Sequence, residues 1–463
     1  MKTIAIIPVV DRPPRPRGAL ARLGDAMARH RGVILALQWI VVLAYAVLVA
    51  VPAFMPLPDE HTRILNSLTR FAQFAFWGVW WPFVIVSIMA LGRVWCGVLC
   101  PEGALSEWAS RHSLGRAIPR WMRWPGWPLV GFAGTTLYGQ MLSVYDYPAP
   151  AALILGGSTL AAIGIGLVYG RNKRVWCRYL CPVSGVFALL SRVSPLHFKV
   201  DREAWRAYPQ RVPAPDCAPL LNVGAMTGAA QCHQCGRCSG HRDAVEWRWR
   251  WPGSEILASR AKDIARYEIA LLLYGTIGMA YGAFQWSMAP SFVVAKQKLA
   301  EWLIERDILW PFDDSAPWWV LTHYPQASDV FTWLDGACIV GWIALHALVL
   351  GATAQCCLWL AARLARLDMR RLALGLVPVA GGNLFLGLSM LTLSQLRAEG
   401  ITFNGVATAR ALVLALMTTS ALALGAALLR QARPGATRAL AAFALYAAPV
   451  LGFAALWARA FGW

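Results

Sequence analysis

Two nearly identical stretches of the chain carry paired thiols: RVWCGVLCP at residues 93–101 and RVWCRYLCP at residues 174–182. Each places two cysteines four apart and closes on proline: Cys96 and Cys100, then Cys177 and Cys181. On a continuous helix that spacing puts both thiols on one face. Proline is excluded from a helix interior but suits a first turn. The residues that follow, EGALSEWAS and PVSGVFALLS, are therefore expected to start new short helices, with Cys100 and Cys181 close to their N-caps. A helix N-terminus favours negative charge and lowers a thiol's pKa. Arg, Val, Trp, Cys, Leu, Cys and Pro recur in register, so the motif is an internal duplication. Two thiols from each repeat, converging on a pseudo-two-fold axis, suffice for a metal cluster or another soft metal such as copper, with Arg93 and Arg174 offsetting the charge. The plainer alternative is reactive or merely buried thiols at a helix break.

A third constellation is CHQCGRC, with Cys232, Cys235 and Cys238. C-x2-C-x2-C opens the bacterial ferredoxin motif, whose tight spacing wraps a loop around three corners of a cubane. Gly236 lets that loop turn closely. No cysteine follows Cys238, so the candidate fourth ligand is Cys217 in PDCAPLLN, with Pro219 close behind. Cys217, Cys232, Cys235 and Cys238 are read as the ligands of one [4Fe–4S] cluster. Zinc is the competing reading, but its sites usually pair ligands as two separated C-x2-C units. Basic neighbours Arg237, Arg242 and His241 are expected to raise the potential of such a cluster by stabilising its reduced state.

Positioning these groups falls to a membrane scaffold. Hydrophobic residues make up 58% of the 463 and charged ones only 14%, the composition of an all-α polytopic membrane protein. Nine runs approach the length of about 20 apolar residues that a span needs: 33–55, 71–91, 127–145, 150–170, 268–293, 331–360, 372–395, 408–430 and 438–458. The net charge of +19 does not call for a nucleic-acid partner, because arginine and lysine crowd alternate loops. Arg12, Arg15, Arg17, Arg22 and Arg29 precede the first run, Arg171, Lys173, Arg174 and Arg178 follow the fourth, and Arg363, Arg366, Arg370 and Arg371 follow the sixth. Acidic residues such as Asp59, Glu60, Asp307 and Asp313 fall in the intervening loops. Basic loops stay inside, which predicts a cytoplasmic N-terminus and a C-terminus on the other side of a bacterial inner membrane. The first eight cysteines then face the reducing compartment, where metal or redox ligation is favoured over disulfides. MKTIAIIPVVDRPPRPRG makes a poor signal peptide, so the first span is expected to remain as an anchor.

The resulting plan is a cytoplasmic tail (1–32), two spanning hairpins each ending in C-x3-C-P (33–194), a small cytoplasmic ferredoxin-like iron–sulfur module (195–267), a fifth span with an outer loop (268–330), and a four-span C-terminal region (331–463). Within the outer loop, AKQKLAEWLIER reads as a surface helix.

Taken together, WCGVLCPEGALSEW, WCRYLCPVSG and CHQCGRC resemble the membrane-bound polyferredoxins of the NapH and NosR type, over residues 30–290. Cytochrome-oxidase accessory ferredoxins share the C-x3-C-P plan. The resemblance implies a cytoplasmic-facing, cluster-carrying membrane protein that passes electrons between quinol, or a cytoplasmic donor, and a redox partner. It also admits copper reduction during oxidase assembly, while a redox-sensing regulator is a third reading. This chain departs from many relatives in having one incomplete ferredoxin motif rather than two, and residues 331–463 match no named pattern.

Other features have plain readings. His346 is a lone histidine within a span and lacks a partner for a bis-histidine haem, so it reads as a packed polar residue with a quinone contact as the alternative. Gln38, Gln140, Gln285, Gln355 and Asn383 are the other polar residues within spans, and GGN at 381–383 marks a broken or closely packed helix. Cys356 and Cys357 read as small buried thiols. No segment is long enough for the phosphorylated domain of a metal-pumping ATPase.

Overall fold

The computed structural model describes residues 18–59 and 61–463. The opening segment, including Arg12, Arg15 and Arg17, and also Glu60, lie outside these. A short amphipathic helix, α1 (Ala19–Arg29), leads into α2 (Arg31–Ala53) and α3 (Leu68–Leu91). The first cysteine motif and α4 (Pro101–Ser110) follow, then α5 (Trp127–Met141) and α6 (Pro148–Tyr169). After the second motif and a polar segment come α7 (Arg266–Gln285) and α8 (Pro290–Ile304). The chain ends in α9 (Trp333–Ala365), α10 (Met369–Ala398), α11 (Val406–Ala432) and α12 (Ala436–Ala460).

All nine apolar runs are helical, but they do not make nine full spans. Among the described residues, seven helices are long and apolar enough to cross a membrane: α2, α3, α6 and α9 to α12. An eighth span exists only if α7 and α8 count together, and the chain bends by 76° between them. Pro290 stands in the first turn of α8, where a new helix starts readily but an old one does not continue. α8 contains most of the segment expected to lie along the surface. The run at 127–145 yields only the 15 residues of α5. At 1.5 Å per residue these rise about 22 Å, short of the about 30 Å of a hydrocarbon core. α5 still reaches the outer loop: the Tyr138 hydroxyl donates to the Trp319 carbonyl at 2.6 Å, and the Thr322 amide to the Met141 carbonyl at 2.9 Å.

The centre of the bundle is α10, not the cysteine hairpins. Its residues from Leu372 to Leu388 are almost wholly buried. Gly381 receives Met89 and Leu190, Gly382 receives Met417, and Gly387 receives Phe284, so GGN marks close packing within an unbroken helix. The Asn383 amide donates to the carbonyls of Thr276 (2.7 Å) and Ile277 (3.0 Å) and accepts from Trp457 Nε1 at 2.8 Å. Thr392 Oγ1 donates to the Gly78 carbonyl at 2.7 Å. α10 is thereby tied to α3, α7 and α12. His346 is a packed residue: its Nδ1 lies 2.9 Å from the Trp342 carbonyl, and its ring sits against Trp342 and Tyr281.

The polar segment closes on itself through two antiparallel strands, β1 (Leu196–Val200) and β2 (Val245–Trp249), with Leu196 opposite Trp249. α1 packs on this unit. A side chain at Gly24 would strike Ser239, Trp247 and Phe198, and Ser239 Oγ donates to Asp25 at 2.8 Å. Residues 19–29, expected as tail, thus form part of the module.

Candidate functional site

The first motif sits where α3 ends. Trp95–Leu99 forms a wide π-helical turn, and Cys100 leaves it in an extended conformation (φ −69°, ψ 117°). Cys100 is the N-cap of α4, and the Gly103 amide donates to its Sγ at 3.4 Å. Pro101 occupies the first helical position, as its fixed φ prefers. The second motif differs. Cys177 lies in the short helix Val175–Tyr179, but the next helix starts at Ser184, capped by Val183. Cys181 therefore stands a few residues ahead of the N-cap rather than on it. In neither repeat are the two thiols on one continuous helix, because both helices stop before the second cysteine.

The repeats are laced together by their arginines. Arg174, with 0% exposure, donates from Nη1 to the Cys96 carbonyl (2.6 Å) and from Nε to Glu107 Oε2 (2.8 Å). Arg93 donates to Ser184 Oγ (3.0 Å), which donates to the Cys177 carbonyl (2.9 Å). Each repeat's arginine thus crosses to the other. Arg174 is neutralised by Glu107, whereas Arg93 meets no carboxylate among the described residues. Gln38 of α2 also supports the first motif, donating to the Gly97 carbonyl at 2.9 Å.

The ferredoxin-type loop lies directly on this pair. Arg93 Nη1 donates to the Ala230 carbonyl at 2.9 Å, and the Arg174 amide to the Ala218 carbonyl at 2.8 Å, next to Cys217. A Cβ on Gly97 would stand 2.2 Å from the His233 carbonyl oxygen and 2.8 Å from the Cys235 amide. Only glycine permits that approach. Gly236 takes a left-handed φ of 77° and faces Met27 of α1, so the loop's turn and its seat on α1 both depend on it.

Two cavities result. Cys217, Cys232, Cys235 and Cys238 line a small one with Phe198, Met226 and Arg237. Cys96, Cys100, Cys177 and Cys181 line a cavity of about 250 Å³, together with Tyr45, Trp77, Trp80, Trp95, Phe132 and Phe284. Three helical segments around it widen to π geometry: Phe74–Trp80, Trp95–Leu99 and Ala152–Gly156. Such bulges often accompany functional sites. His233 lines both cavities, is 2% exposed, and its Nδ1 finds no partner among the described residues. Burial, then Arg93 and Arg174, hold its imidazole well below the usual range, so it is neutral.

Every described cysteine is free of disulfide. Burial pushes the Cys232 thiol up to about 12. Such a thiol is a ligand only when a metal replaces its proton. No three His, Cys, Asp or Glu side chains among the described residues converge tightly enough for a single metal ion. Each set of four thiols instead lines a cavity, as the four cysteine ligands of a 4Fe–4S cluster would. Cys338, Cys356 and Cys357 line neither cavity.

Charge around the site is arranged differently from the sequence expectation. Arg237 is tied to Glu107 and reaches Asp216 at 3.5 Å, carboxylates that it shares with Arg31, Lys173 and Arg174. Arg242 lies over Trp205, 4.9 Å from the ring centre. Burial and Arg242 lower the His241 pKa, leaving that ring uncharged near neutral pH. Glu107, unremarked in the sequence, is the hub: it takes Arg174, Arg237 and Arg31 (3.4 Å). Burial opposes its ionisation, but Arg174 and Arg237 outweigh burial and hold its carboxyl below the usual range. Its sequence signal was an acid in the short apolar helix after a span. The same signal marks Glu102, which accepts from Trp176 Nε1 at 3.2 Å and lines the larger cavity.

Comparison with known proteins agrees with this layout. A family model described as a 4Fe-4S binding domain matches residues 73–125 and 155–201, the segments that hold the two C-x3-C-P motifs. YccM of Escherichia coli (strain K12), an electron transport protein by name, is 26% identical over 181 residues, 34% of this chain and 50% of that one. Regulatory protein NosR of Pseudomonas aeruginosa is 24% identical over 178 residues, 34% of this chain and 25% of that one. The chain thus spans half the length of the first relative and a quarter of the second. No solved structure matches it. Through the region that carries its duplicated cysteine motifs, the chain is similar to membrane-bound 4Fe–4S electron-transport proteins of the polyferredoxin type.

Proposed function

We propose that this protein is a two-centre electron carrier of the bacterial inner membrane. Cys217, Cys232, Cys235 and Cys238 hold one [4Fe–4S] cluster, and Cys96, Cys100, Cys177 and Cys181 hold a second. The observation that supports this reading is the juxtaposition of the two cysteine-lined cavities, which share His233, with Gly97 of the first motif against the backbone of His233 and Cys235. When bound, each cluster supplies one-electron storage at a potential set by burial and hydrogen bonding. The chain's own contribution is rigidity: Arg93 and Arg174 lock the repeats to each other and to the loop. The finer reading takes a quinol as donor, received by the aromatic-walled cavity that the C-x3-C-P cysteines also line. The cysteine face, with its arginine-rich loops, is assigned to the cytoplasm.

Iron and acid-labile sulfide in anaerobically purified protein test the first claim. About eight irons per chain are expected, falling to about four in C96S/C177S. About four in the wild type would reduce the protein to one centre, and zinc without labile sulfide would remove the electron-transfer reading. For the donor, a short-chain quinol should reduce the clusters and quench tryptophan fluorescence from Trp77 and Trp80. Reduction by a soluble cytoplasmic donor with no response to quinol would overturn that part alone.

A further inference from the structure

A second open cleft, of about 620 Å³, lies away from the cysteines, where α7 begins, α9 ends and α10 begins. Four arginines converge on it from these three elements: Arg266, Arg363, Arg366 and Arg370. Basic residues at a membrane edge are ordinary. A cleft that gathers them is not, because free loop charges spread into water. Only Arg370 is accounted for internally, with Asp368 at 2.9 Å and the Ile264 carbonyl at 3.2 Å. Arg363 lies over the Trp359 ring, 4.6 Å from its centre. Arg266, Arg363 and Arg366 make no ion pair with a carboxylate among the described residues. Asp368, the lone acid of the cleft, is taken by Arg370. The remaining lining is Ile269, Ala270, Ala362, Leu367 and Met369, with Gln355 and Trp359.

A cationic rim over an apolar wall selects an amphiphile with an anionic head. Guanidinium groups bind phosphate oxygens through paired N–H donors. Trp359 is a residue type that settles at the headgroup level. We propose that this cleft is a binding site for the phosphate of an anionic glycerophospholipid, held by Arg266, Arg363 and Arg366 with its acyl chains along α7 and α9. The site sits on the cysteine side of the bundle, because α7 follows the module directly. It is independent of what the cysteines hold.

The test uses the full chain in mixed micelles, with bound lipid read by native mass spectrometry against cardiolipin, phosphatidylcholine and inorganic phosphate. The wild type should retain cardiolipin over phosphatidylcholine by about tenfold, and R363Q/R366Q should lose most of that preference. The control R433Q/R438Q removes equal charge from another basic loop and should leave the preference intact. A wild-type thermal unfolding midpoint in detergent certifies that each variant has folded. Equal loss in both variants would show diffuse attraction and overturn the site. Retention of inorganic phosphate without any lipid preference would overturn the lipid as its source.

Discussion

At the scale of single residues, Glu107 is the most exposed to test. It is buried, and its partner Arg174 has no access to water. Glu107→Gln strands that guanidinium and should cost about 3–5 kcal/mol, read as a fall in the thermal unfolding midpoint in detergent. The pH dependence has a definite sign. The folded carboxyl titrates below its unfolded value of about 4.3, so its stabilisation is complete above that value and lost as pH falls through the folded one. The variant should therefore show a flatter acid limb, and an unchanged limb would deny Glu107 its role. Gly97 offers a second test. Gly97→Ala forces a methyl group against the His233 carbonyl and the Cys235 amide. The loop must lift, and the chain should keep only about half its iron; wild-type iron and an unaltered EPR spectrum on reduction would show that the contact is dispensable.

Among elements, α10 carries the largest discrepancy between pattern and place. Its apolar run looks like any other span, yet it is surrounded by helices, and 78% of its most apolar window is buried. Asn383 is the cause that sequence hints at but does not specify. A polar amide in hydrocarbon must be satisfied, and here three hydrogen bonds bind α10 to α7 and α12. Asn383→Leu should destabilise the bundle by about 1–3 kcal/mol, measured by unfolding in sodium dodecyl sulfate. A loss confined to a few tenths would mean that small-residue packing at Gly381, Gly382 and Gly387 suffices. The short α5 and the bent α7–α8 pair belong to the same scale. Hydropathy registers their apolar content but not that Pro290 and the turn at Ser143 stop the helices early.

For the whole molecule, the C-terminal spans are structural partners of the site rather than an appendage. Leu384 and Leu388 of α10 form part of the wall of the cavity that Cys96, Cys100, Cys177 and Cys181 also line. A chain cut after Ala365 loses that wall together with α11 and α12. It is expected to lose its iron on extraction from the membrane. Full iron retention by the truncated chain would make 366–463 a separable unit after all.

The membrane character, the duplicated motif, the two groups of four cysteines and the proline-started helix after Cys100 were all legible in the sequence. They rest on local chemistry: hydropathy, spacing and the conformational limits of proline. What surrounds them was not. Glu107 meets Arg174 and Arg237 across 67 and 130 positions, and Gly97 meets His233 with α4, α5, α6 and the second motif between them in the chain. No periodicity encodes such separations. The pairing of Arg237, the neutrality of His241, the inclusion of α1 in the module and the central place of α10 are decided by which surfaces close on each other. That closure is set by burial and polar satisfaction summed over the whole bundle, and it exists only once the chain has folded.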